Sequence, residues 1–365
     1  MPSTQPFIVY RDRLGVPSEI GFLRRQYIGF THLHPVWTGR ALLPDAPRLG
    51  AHLHRLGGNG VFGPLHRFLF RHFGRVPAMN LGAASILHAQ FARGAALALP
   101  LVQGLDLRMV VTLHGGDISK QKNWRGTVLA HRWPDVVRMS ERFICVSAAV
   151  ADVAAARGVP PHKLTVLPIG VEIPDQPPLR HARALAAHLF VGRFVEKKGI
   201  AVLAEAMRHL RAQGDQTPLI CVGDGPLRPM LQSLGRDVPG ITLTGWLPPD
   251  SVRVQMAEAV CLVVPSVIAG DGDAEGLPSV IPEAMAQACP IIGTNQGGIA
   301  EAIRHNRTGL LVPAGDAAAL AEAMHRLIAQ PGLGETLGSA GYAHAATRLN
   351  AYTQSAELET LLLSP

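Results

Sequence analysis

Aromatic residues and cysteines are both scarce in this chain, and each scarcity excludes a kind of protein. Aromatic side chains make up 5% of the 365 residues and do not alternate with basic ones, so a nucleic-acid partner is not expected. The cysteines lie within apolar runs and lack the C-x-x-C or Cys/His spacing of a metal site. They are predicted to be buried thiols in a reducing compartment. They are Cys145, Cys221, Cys261 and Cys289.

Long apolar runs are also absent. The longest, residues 94–114, is interrupted by Pro100, Gln103, Asp106 and Arg108, and it predicts a helix, a turn and a strand. The first residues do not show the charged segment followed by an apolar one that a secretory signal requires. We therefore expect a cytoplasmic protein without a membrane span.

Acidic residues are few in the first half of the chain. Residues 1–180 contain 21 Lys and Arg against 10 Asp and Glu, whereas residues 181–365 contain 13 against 17. A basic half suits nucleic acid, an anionic membrane surface or a phosphorylated substrate. Because no nucleic-acid-binding module is present, the membrane surface and the phosphorylated substrate are the partners to consider.

The chain does contain a repeated succession of short apolar strands and helix-like segments, which is typical of parallel α/β sheets. In the first half "FIVYRD" leads into "SEIGFLRRQYIG" and "RFICVS" into "AAVADVAAARG"; in the second "LFVGRF" leads into "GIAVLAEAMRHLRAQG". Between the halves, the proline-rich residues 168–180 predict a linker. We predict two doubly wound domains that bind ligand at the carboxyl ends of their strands.

Several segments of the second half resemble a known family. They are, in order, "LPIGVEI", "VGRFVEKKGI", "VGDGPLR", "GWLPPDSV", "EGLPSVIPEAMAQACPIIGTNQGGIAEAI" and "TGLLVPAGD", with "ILHAQF", "VTLHGGD" and "FICVS" as a thinner match in the first half. The chain resembles the retaining GT-B glycosyltransferases with two donor-site glutamates, which include bacterial surface-polysaccharide enzymes. The resemblance implies an acceptor-binding domain at 1–172 and a nucleotide-sugar-binding domain at 173–345. Both are Rossmann-like and face a central cleft, and a C-terminal helix at 346–365 packs back on the first domain.

The resemblance gives roles to two glutamates that lie eight positions apart. Glu283, in the first turn of a predicted helix, would accept the ribose hydroxyls, and Glu275, on the preceding loop, would hold a sugar hydroxyl near the reacting carbon. The backbone of residues 276–280 would offer N–H groups to diphosphate or sugar oxygens. The alternative is that Glu283 is an ordinary first-turn acid and Glu275 an exposed loop charge.

Arg193 and Lys198 follow a predicted strand in "VGRFVEKKG" and could neutralise the departing nucleoside diphosphate. Lys197 is expected to face solvent, and a solvated basic turn is the alternative for the whole segment. Because these cations supply the charge and no Asp-x-Asp pair ends a strand, neither a metal ion nor a further cofactor is expected beside the nucleotide sugar.

His114, in "VTLHGGD", lies at the carboxyl end of a predicted strand. By resemblance it would contact the donor sugar or the reacting centre, with Asp117 as a base on the acceptor side. The alternative is a histidine that only caps the strand. The residues predicted to be catalytic are His114, Glu275, Lys198 and Arg193.

Other positions complete the predicted donor site. Gly223 and Leu247 belong to loops after strands, and the second of these loops would hold the base through main-chain atoms. Many family members carry a Gly-Gly pair after the first strand, whereas this chain has Gly15 alone, followed by Ser18 as a predicted N-cap and Glu19 in the first helical turn. The residues predicted to bind the donor are Gly15, Arg193, Lys198, Gly223, Leu247, Glu275, Gly276, Leu277, Pro278, Ser279 and Glu283.

Residues 63–75, "GPLHRFLFRHFGR", interleave apolar and basic side chains. As a helix this segment could lie on an anionic membrane, or it could be a partly buried surface helix. The histidine pairs of "THLHP" and "AHLHR" lack the carboxylates or cysteines that usually complete a metal site.

Together with the basic first half, the resemblance implies a glycosyltransferase that moves a hexose, of the mannose or glucose type, from a nucleoside diphosphate to an acceptor hydroxyl. The acceptor would be a lipid-linked oligosaccharide of envelope or exopolysaccharide synthesis, and the protein would be cytoplasmic, peripheral on the inner face of the membrane. Two alternatives remain open: a non-catalytic nucleotide-sugar-binding subunit and a nucleotide-sugar epimerase of the same fold. Nucleotide, linkage and oligomeric state do not follow from the sequence.

Overall fold

The computed structural model describes residues 4–58, 60–77, 83–178 and 187–364. The chain divides into two compact units, one formed by residues 1–170 with 351–365 and the other by residues 171–350. The domain boundaries predicted after residues 172 and 345 lie close to these divisions. The linker predicted at 168–180 extends past the described residues.

The first unit is built on a parallel sheet. Its strands are β1 (Gln5–Tyr10), β2 (Arg13–Leu14), β3 (Leu33–Gly39), β4 (Ala41–Leu42), β5 (Leu53–Arg55), β6 (Ile86–Gln90), β7 (Arg108–Leu113), β8 (Ser140–Cys145) and β9 (Leu164–Val166). The sheet order is β5-β3-β1-β6-β7-β8-β9, and β2 pairs separately with β4. The central strand β6 is buried along its whole length, as expected for parallel strands covered by helices on both faces.

Within residues 1–170, the helices of the first unit follow the predicted alternation. They are α1 (Pro17–Arg25), α2 (Gly63–Phe73), α3 (Ala92–Leu105), α4 (Gly116–Ser119), α5 (Val128–Met139) and α6 (Ala148–Ala156). The prediction of Ser18 as an N-cap is wrong, because α1 begins at Pro17 and Val16 takes that position. Strands β3 and β5 were not predicted, since "LHPVWTG" breaks the apolar pattern with a histidine, a proline and a threonine.

The second unit contains another parallel sheet. Its strands are β10 (His188–Val191), β11 (Leu219–Val222), β12 (Ile241–Gly245), β13 (Cys261–Val264), β14 (Ile291–Thr294) and β15 (Leu310–Val312), in the order β12-β11-β10-β13-β14-β15. Its helices are α7 (Ile200–Ala212), α8 (Arg228–Asp237), α9 (Pro249–Glu258), α10 (Val280–Ala286), α11 (Gly297–Ala302), α12 (Ala317–Ala329) and α13 (Pro331–Arg348). The prediction of two doubly wound domains is confirmed.

Helix α14 (Ala351–Leu363) follows the second unit in sequence but belongs to the first. Leu358 and Leu362 pack in the same apolar cluster as Phe7 and Ile86. The buried Glu359 accepts hydrogen bonds from the backbone N–H groups of three consecutive residues, 31–33, at 2.7–3.0 Å. The helix is therefore joined to the sheet through both apolar packing and a carboxylate.

The four cysteines are buried, as predicted, and the structure joins none of them in a disulfide. Within the described ranges, no helix is both long enough and apolar enough to span a bilayer.

Candidate functional site

The strand order of the second unit indicates where a ligand would lie. The chain runs from β10 to β11 and β12 on one side, and then crosses to β13 on the other side of β10. Open α/β sheets bind ligands outside the carboxyl ends of the strands at such a reversal. The loops that leave β10 and β13 at this point carry "EKKG", residues 196–199, and "DAEG", residues 273–276.

Two lysines and two carboxylates meet between these loops. Lys198 Nζ lies 3.1 Å from Glu275 Oε1, and Lys197 Nζ lies 3.1 Å from Asp273 Oδ1 and 3.5 Å from Glu275 Oε1. All four side chains are largely buried, and that of Glu275 is 11% exposed. Glu275 is therefore not an exposed loop charge, and the prediction that Lys197 faces solvent is wrong.

The charges of this cluster act on Glu275. Burial alone would raise the pKa of its carboxyl, but the ammonium groups of Lys198 and Lys197 outweigh that effect and hold the pKa below its ordinary value. Glu275 is thus a carboxylate throughout the neutral range. The cluster contains two cations and two anions, so its charges balance.

Backbone contacts hold the two loops together. Val267 N–H donates to the Lys197 carbonyl at 2.9 Å, and Gly270 N–H donates to the exposed Glu196 carboxylate at 2.9 Å. Gly199 has a positive φ of 68°, and a Cβ at this position would lie 1.8 Å from the carbonyl oxygen of Pro265. Glycine is required here, because any side chain at this position would prevent the turn at residues 196–198 from packing against the end of β13.

The remaining predicted donor residues of the second unit lie on neighbouring segments. Glu283, in the first turn of α10, is partly buried, and Ser279 precedes that helix. Leu277 and Leu247 are partly buried and pack against the apolar cluster that contains Ile281. Gly276 and Pro278 are buried.

Arg193 and Gly223 are two further residues that the sequence predicts to bind the donor. Arg193 is exposed and, among the described residues, forms no ion pair with the lysine and carboxylate cluster. Gly223 lies just after β11, with φ at 133°, and a Cβ there would lie 2.0 Å from the Gly192 carbonyl oxygen. The loops after β10 and β11 therefore pack directly on each other.

In the first unit, His114 directly follows β7. Its Nε2 lies 2.8 Å from Gln90 Oε1, and its ring packs against those of Phe91 and Phe22, at centroid distances of 4.2 and 5.2 Å. Burial, assisted by the nearby Arg11 guanidinium, lowers the pKa of His114 to about 3. The imidazole is consequently neutral at physiological pH and can exchange hydrogen bonds but does not carry a charge.

Asp117 shapes the loop after β7. One carboxylate oxygen accepts a hydrogen bond from His114 N–H at 2.9 Å, and the other accepts from Ala92 N–H at 2.8 Å. Burial raises its pKa, and these backbone contacts oppose the rise. Both oxygens thus take part in holding the loop, and a role of Asp117 as an acceptor-side base stays a prediction.

Gly15 and Glu19 lie at the carboxyl end of β1. Gly15 has a φ of 87°, and a Cβ there would lie 2.3 Å from Ala46 N, so packing alone explains the glycine. Glu19 forms a bidentate pair with Arg11 at 2.7 and 2.8 Å, and Arg11 in turn lies 4.4 Å from the centre of the Phe91 ring. A phosphate contact at Gly15 stays a prediction.

His114 belongs to a hydrogen-bond network of buried polar side chains that was not predicted from the sequence. His88 contacts Thr112 Oγ1 at 2.7 Å and the Tyr27 hydroxyl at 3.0 Å, and Gln90 contacts both Tyr27 and His114. The signal was present in "ILHAQF", where two polar residues two positions apart must share one face of an otherwise apolar strand.

The histidine pairs do not form a metal site in the described part of the chain. The rings of His34 and His52 lie 5.4 Å apart, but no group of three or more His, Cys, Asp or Glu residues that could hold an ion occurs among the described residues.

Two family profiles match this chain. Residues 33–173 match "Glycosyltransferase Family 4", and residues 187–330 match "Glycosyl transferases group 1". The matched segments cover most of both units.

Among curated proteins, the chain is similar to the amylovoran biosynthesis glycosyltransferase AmsK of Erwinia amylovora, with 34% identity over 67% of this chain and 61% of AmsK. It is 33% identical to the putative colanic acid biosynthesis glycosyltransferase WcaL of Salmonella typhimurium over 59% of this chain and 53% of WcaL. The matches thus span about half to three fifths of these relatives.

Among solved structures, Anabaena HepE in complex with UDP and glucose has a TM-score of 0.78 and 18% identity, with 100% of both chains covered. Sucrose-phosphate synthase from Thermosynechococcus elongatus has a TM-score of 0.71 and 22% identity, with 98% of both chains covered. These likenesses establish the GT-B fold. The chain therefore belongs to the family of group 1, family 4 glycosyltransferases.

Proposed function

We propose that this protein transfers a hexose from a nucleoside diphosphate to an acceptor hydroxyl, with retention of anomeric configuration and without a metal ion. The observation that carries the proposal is the convergence of Lys197 and Lys198 with Asp273 and Glu275 at the strand reversal of the second unit. A nucleoside diphosphate leaves as an anion, and fixed ammonium groups at this point would stabilise the charge that develops.

The contacts in the cluster suggest a separate role for each residue in binding the donor. Lys198 contacts only Glu275 in the cluster, so it can turn to the diphosphate while Lys197 continues to balance Glu275 and Asp273. Glu275 would then accept a sugar hydroxyl and Glu283 the ribose hydroxyls. Arg193, being exposed, would close on the phosphates only when the donor is bound. Main-chain groups of residues 276–279, Gly223 and Leu247 would complete the donor contacts, Gly15 a phosphate contact, and neutral His114 a contact with the sugar.

The relatives support a polysaccharide pathway and a lipid-linked acceptor. AmsK and WcaL are named for polysaccharide biosynthesis, and a mannosyltransferase of Mycobacterium tuberculosis, 33% identical over 41% of this chain, is named for a GDP-mannose donor and a phosphatidylinositol monomannoside. HepE was solved with UDP and glucose. UDP and GDP are thus the first donors to test.

Nucleotide binding can be tested without knowledge of the acceptor. At a hundred times its dissociation constant, the correct nucleoside diphosphate adds about 2.7 kcal/mol of stability, which raises the melting temperature by a few degrees. We expect such a shift with one of GDP, UDP, ADP and TDP, and its loss in Glu283→Ala. Exposed Glu322→Ala is the matched control and should keep the shift. No shift with any nucleotide would contradict the donor site.

A turnover assay separates the proposal from its alternatives. Release of nucleoside diphosphate that depends on acceptor indicates a transferase. A new nucleotide sugar formed without acceptor would indicate an epimerase. Binding without either product would indicate a non-catalytic subunit.

We further propose that the first unit, on the cytoplasmic side, rests on an anionic membrane through the start of α2. Val61, Phe62, Leu65 and Phe68 are 92%, 69%, 51% and 52% exposed and follow helical spacing along one face. Phe70, in contrast, is 1% exposed and packs inward, while the side chain of Phe73 lies outside the described part. The helix is thus anchored on one face and apolar on its solvent face. With the positive charge of residues 1–180, that arrangement fits an anionic bilayer surface.

Sedimentation with vesicles tests this face. The triple variant Phe62→Ser, Leu65→Ser, Phe68→Ser is expected to lose most binding to vesicles rich in anionic lipid and to keep its melting temperature. A matched control removes exposed apolar residues of the second unit, Val254→Ser and Ile268→Ser, and should bind as wild type. Equal pelleting of the triple variant and the control would exclude the membrane contact.

A further inference from the structure

The polar network of the first unit ends at a single hydrogen bond to His114. Gln90 is fully buried, and its amide nitrogen donates to Gln26 Oε1 at 2.9 Å and to the Tyr27 hydroxyl at 2.6 Å. Its carbonyl oxygen, Oε1, is left to face His114 Nε2 at 2.8 Å. An amide oxygen can only accept, so His114 Nε2 must be the donor.

The other hydrogen bonds of the network are consistent with His114 Nε2 as a donor. Because the Tyr27 hydroxyl accepts from Gln90, its single proton is available for Nδ1 of His88, 3.0 Å away. His88 then carries its own proton on Nε2, which donates to Thr112 Oγ1 at 2.7 Å. Gln90, Tyr27, His88 and His114 each donate to an acceptor in this series, and none of them needs a charge.

His114 is fixed at two further points. Its backbone N–H donates to Asp117, and its ring packs against the rings of Phe22 and Phe91, which restrict its rotation. With the proton on Nε2, the lone pair of Nδ1 is the remaining acceptor. Within the described part of the first unit, no hydrogen bond reaches Nδ1.

We propose that Gln90 is a positioning residue that holds His114 in the neutral Nε2–H tautomer, so that Nδ1 accepts a hydrogen bond from a substrate hydroxyl. The first half of this statement depends on the first unit alone. The substrate contact rests on the proposed function. Without Gln90 Oε1, the Nε2–H group would lose its acceptor, and the preference between tautomers would disappear.

Nitrogen-15 NMR of the full chain tests the tautomer directly. In protein labelled with ¹⁵N-histidine, the ring signals of His114 are identified by their absence in His114→Ala. At neutral pH we expect the pattern of the Nε2–H tautomer in wild type and an average of the two tautomers in Gln90→Met. Gln103→Met, at an exposed glutamine, is the matched control and should leave the pattern unchanged. A proton on Nδ1 in wild type, or an unchanged pattern in Gln90→Met, would overturn the proposal.

Gln90→Glu provides a second test if the methionine variant does not fold. A carboxylate at this position still accepts from Nε2–H but favours the imidazolium, so the pKa of His114 should rise. A protonated ring no longer has an acceptor at Nδ1, and transfer by this variant should fall as the pH decreases through the raised pKa and recover as the pH increases. An NMR titration of His114 identical to that of wild type would contradict the role of Gln90.

Kinetics then distinguish the two halves of the proposal. If Nδ1 contacts the substrate, Gln90→Met should lower kcat/KM by roughly tenfold to a hundredfold, mainly through kcat. If Gln90→Met changes the tautomer of His114 but leaves the rate unchanged, Gln90 positions the ring as proposed, but the contact between Nδ1 and the substrate is overturned.

Discussion

Glu275→Gln is expected to lower turnover by roughly a hundredfold or more, the effect of removing one preorganised charge contact. The substitution keeps the size of the side chain but removes the charge that two lysines surround at 3.1 and 3.5 Å. Glutamine can still accept a hydrogen bond from a sugar hydroxyl, but it no longer offers a charge-assisted one. Lys198→Ala should give a loss of similar size, because the departing diphosphate would lose its counter-charge.

The measurement is the initial rate of nucleoside diphosphate release, with folding checked by circular dichroism. Glu196→Gln is the matched control: Glu196 lies on the same turn but is exposed, and glutamine can still accept from Gly270 N–H. The control should keep a rate close to wild type. Wild-type rates in both Glu275→Gln and Lys198→Ala would remove these residues from the reaction, whatever the nucleotide-binding result.

Glu359→Ala is expected to destabilise the first unit by about 2 kcal/mol or more, since three backbone N–H groups, among them that of the buried Leu33, lose a charged acceptor. The acceptor oxygen Oε1 lies 2.7 Å from both His32 N and Leu33 N. Urea unfolding at neutral pH measures the change. Exposed Glu357→Ala, on the same helix, should alter stability by less than about 0.5 kcal/mol.

The pH dependence of this effect has a definite sign. Burial would raise the pKa of Glu359, but the N–H groups of residues 31–33 outweigh it and hold the pKa below its ordinary value. Its stabilisation is therefore complete above the pKa of the unfolded chain, about 4.3, and decreases as the pH falls through the lower folded value. The difference between wild type and Glu359→Gln should shrink in that acidic window. A difference that stays constant down to strongly acidic pH would show that the carboxylate is not the stabilising group.

The fold and part of the site could be predicted from the sequence, each for a different reason. Alternating strands and helices follow from local apolar patterns, and the pairing of Glu275 with Lys198 follows from motifs that occupy loops after β10 and β13. The orientation of Lys197 did not follow. Adjacent side chains usually point apart, but the tight turn at residues 196–198, closed by Gly199, directs both lysines to Glu275.

Long-range partners explain what remained unpredicted. Nothing near Glu359 indicates that the N–H groups that donate to it lie more than 300 residues earlier in the chain. Asp117 looked like a free acid beside two glycines, and only the fold shows that its oxygens meet N–H groups from two different segments.

Because α14 belongs to the first unit, the second unit lies in sequence between the two parts of the first. The second unit is a continuous insertion, and its two ends meet, since Val171 N–H donates to the Leu349 carbonyl at 2.7 Å. During synthesis, every residue of this unit emerges before the helix that completes the first unit. Domains tend to fold as they leave the ribosome, so the half that is translated first would finish folding last. Until α14 arrives, the groove that receives Leu358 and Leu362 stays open to chaperones and to misassociation.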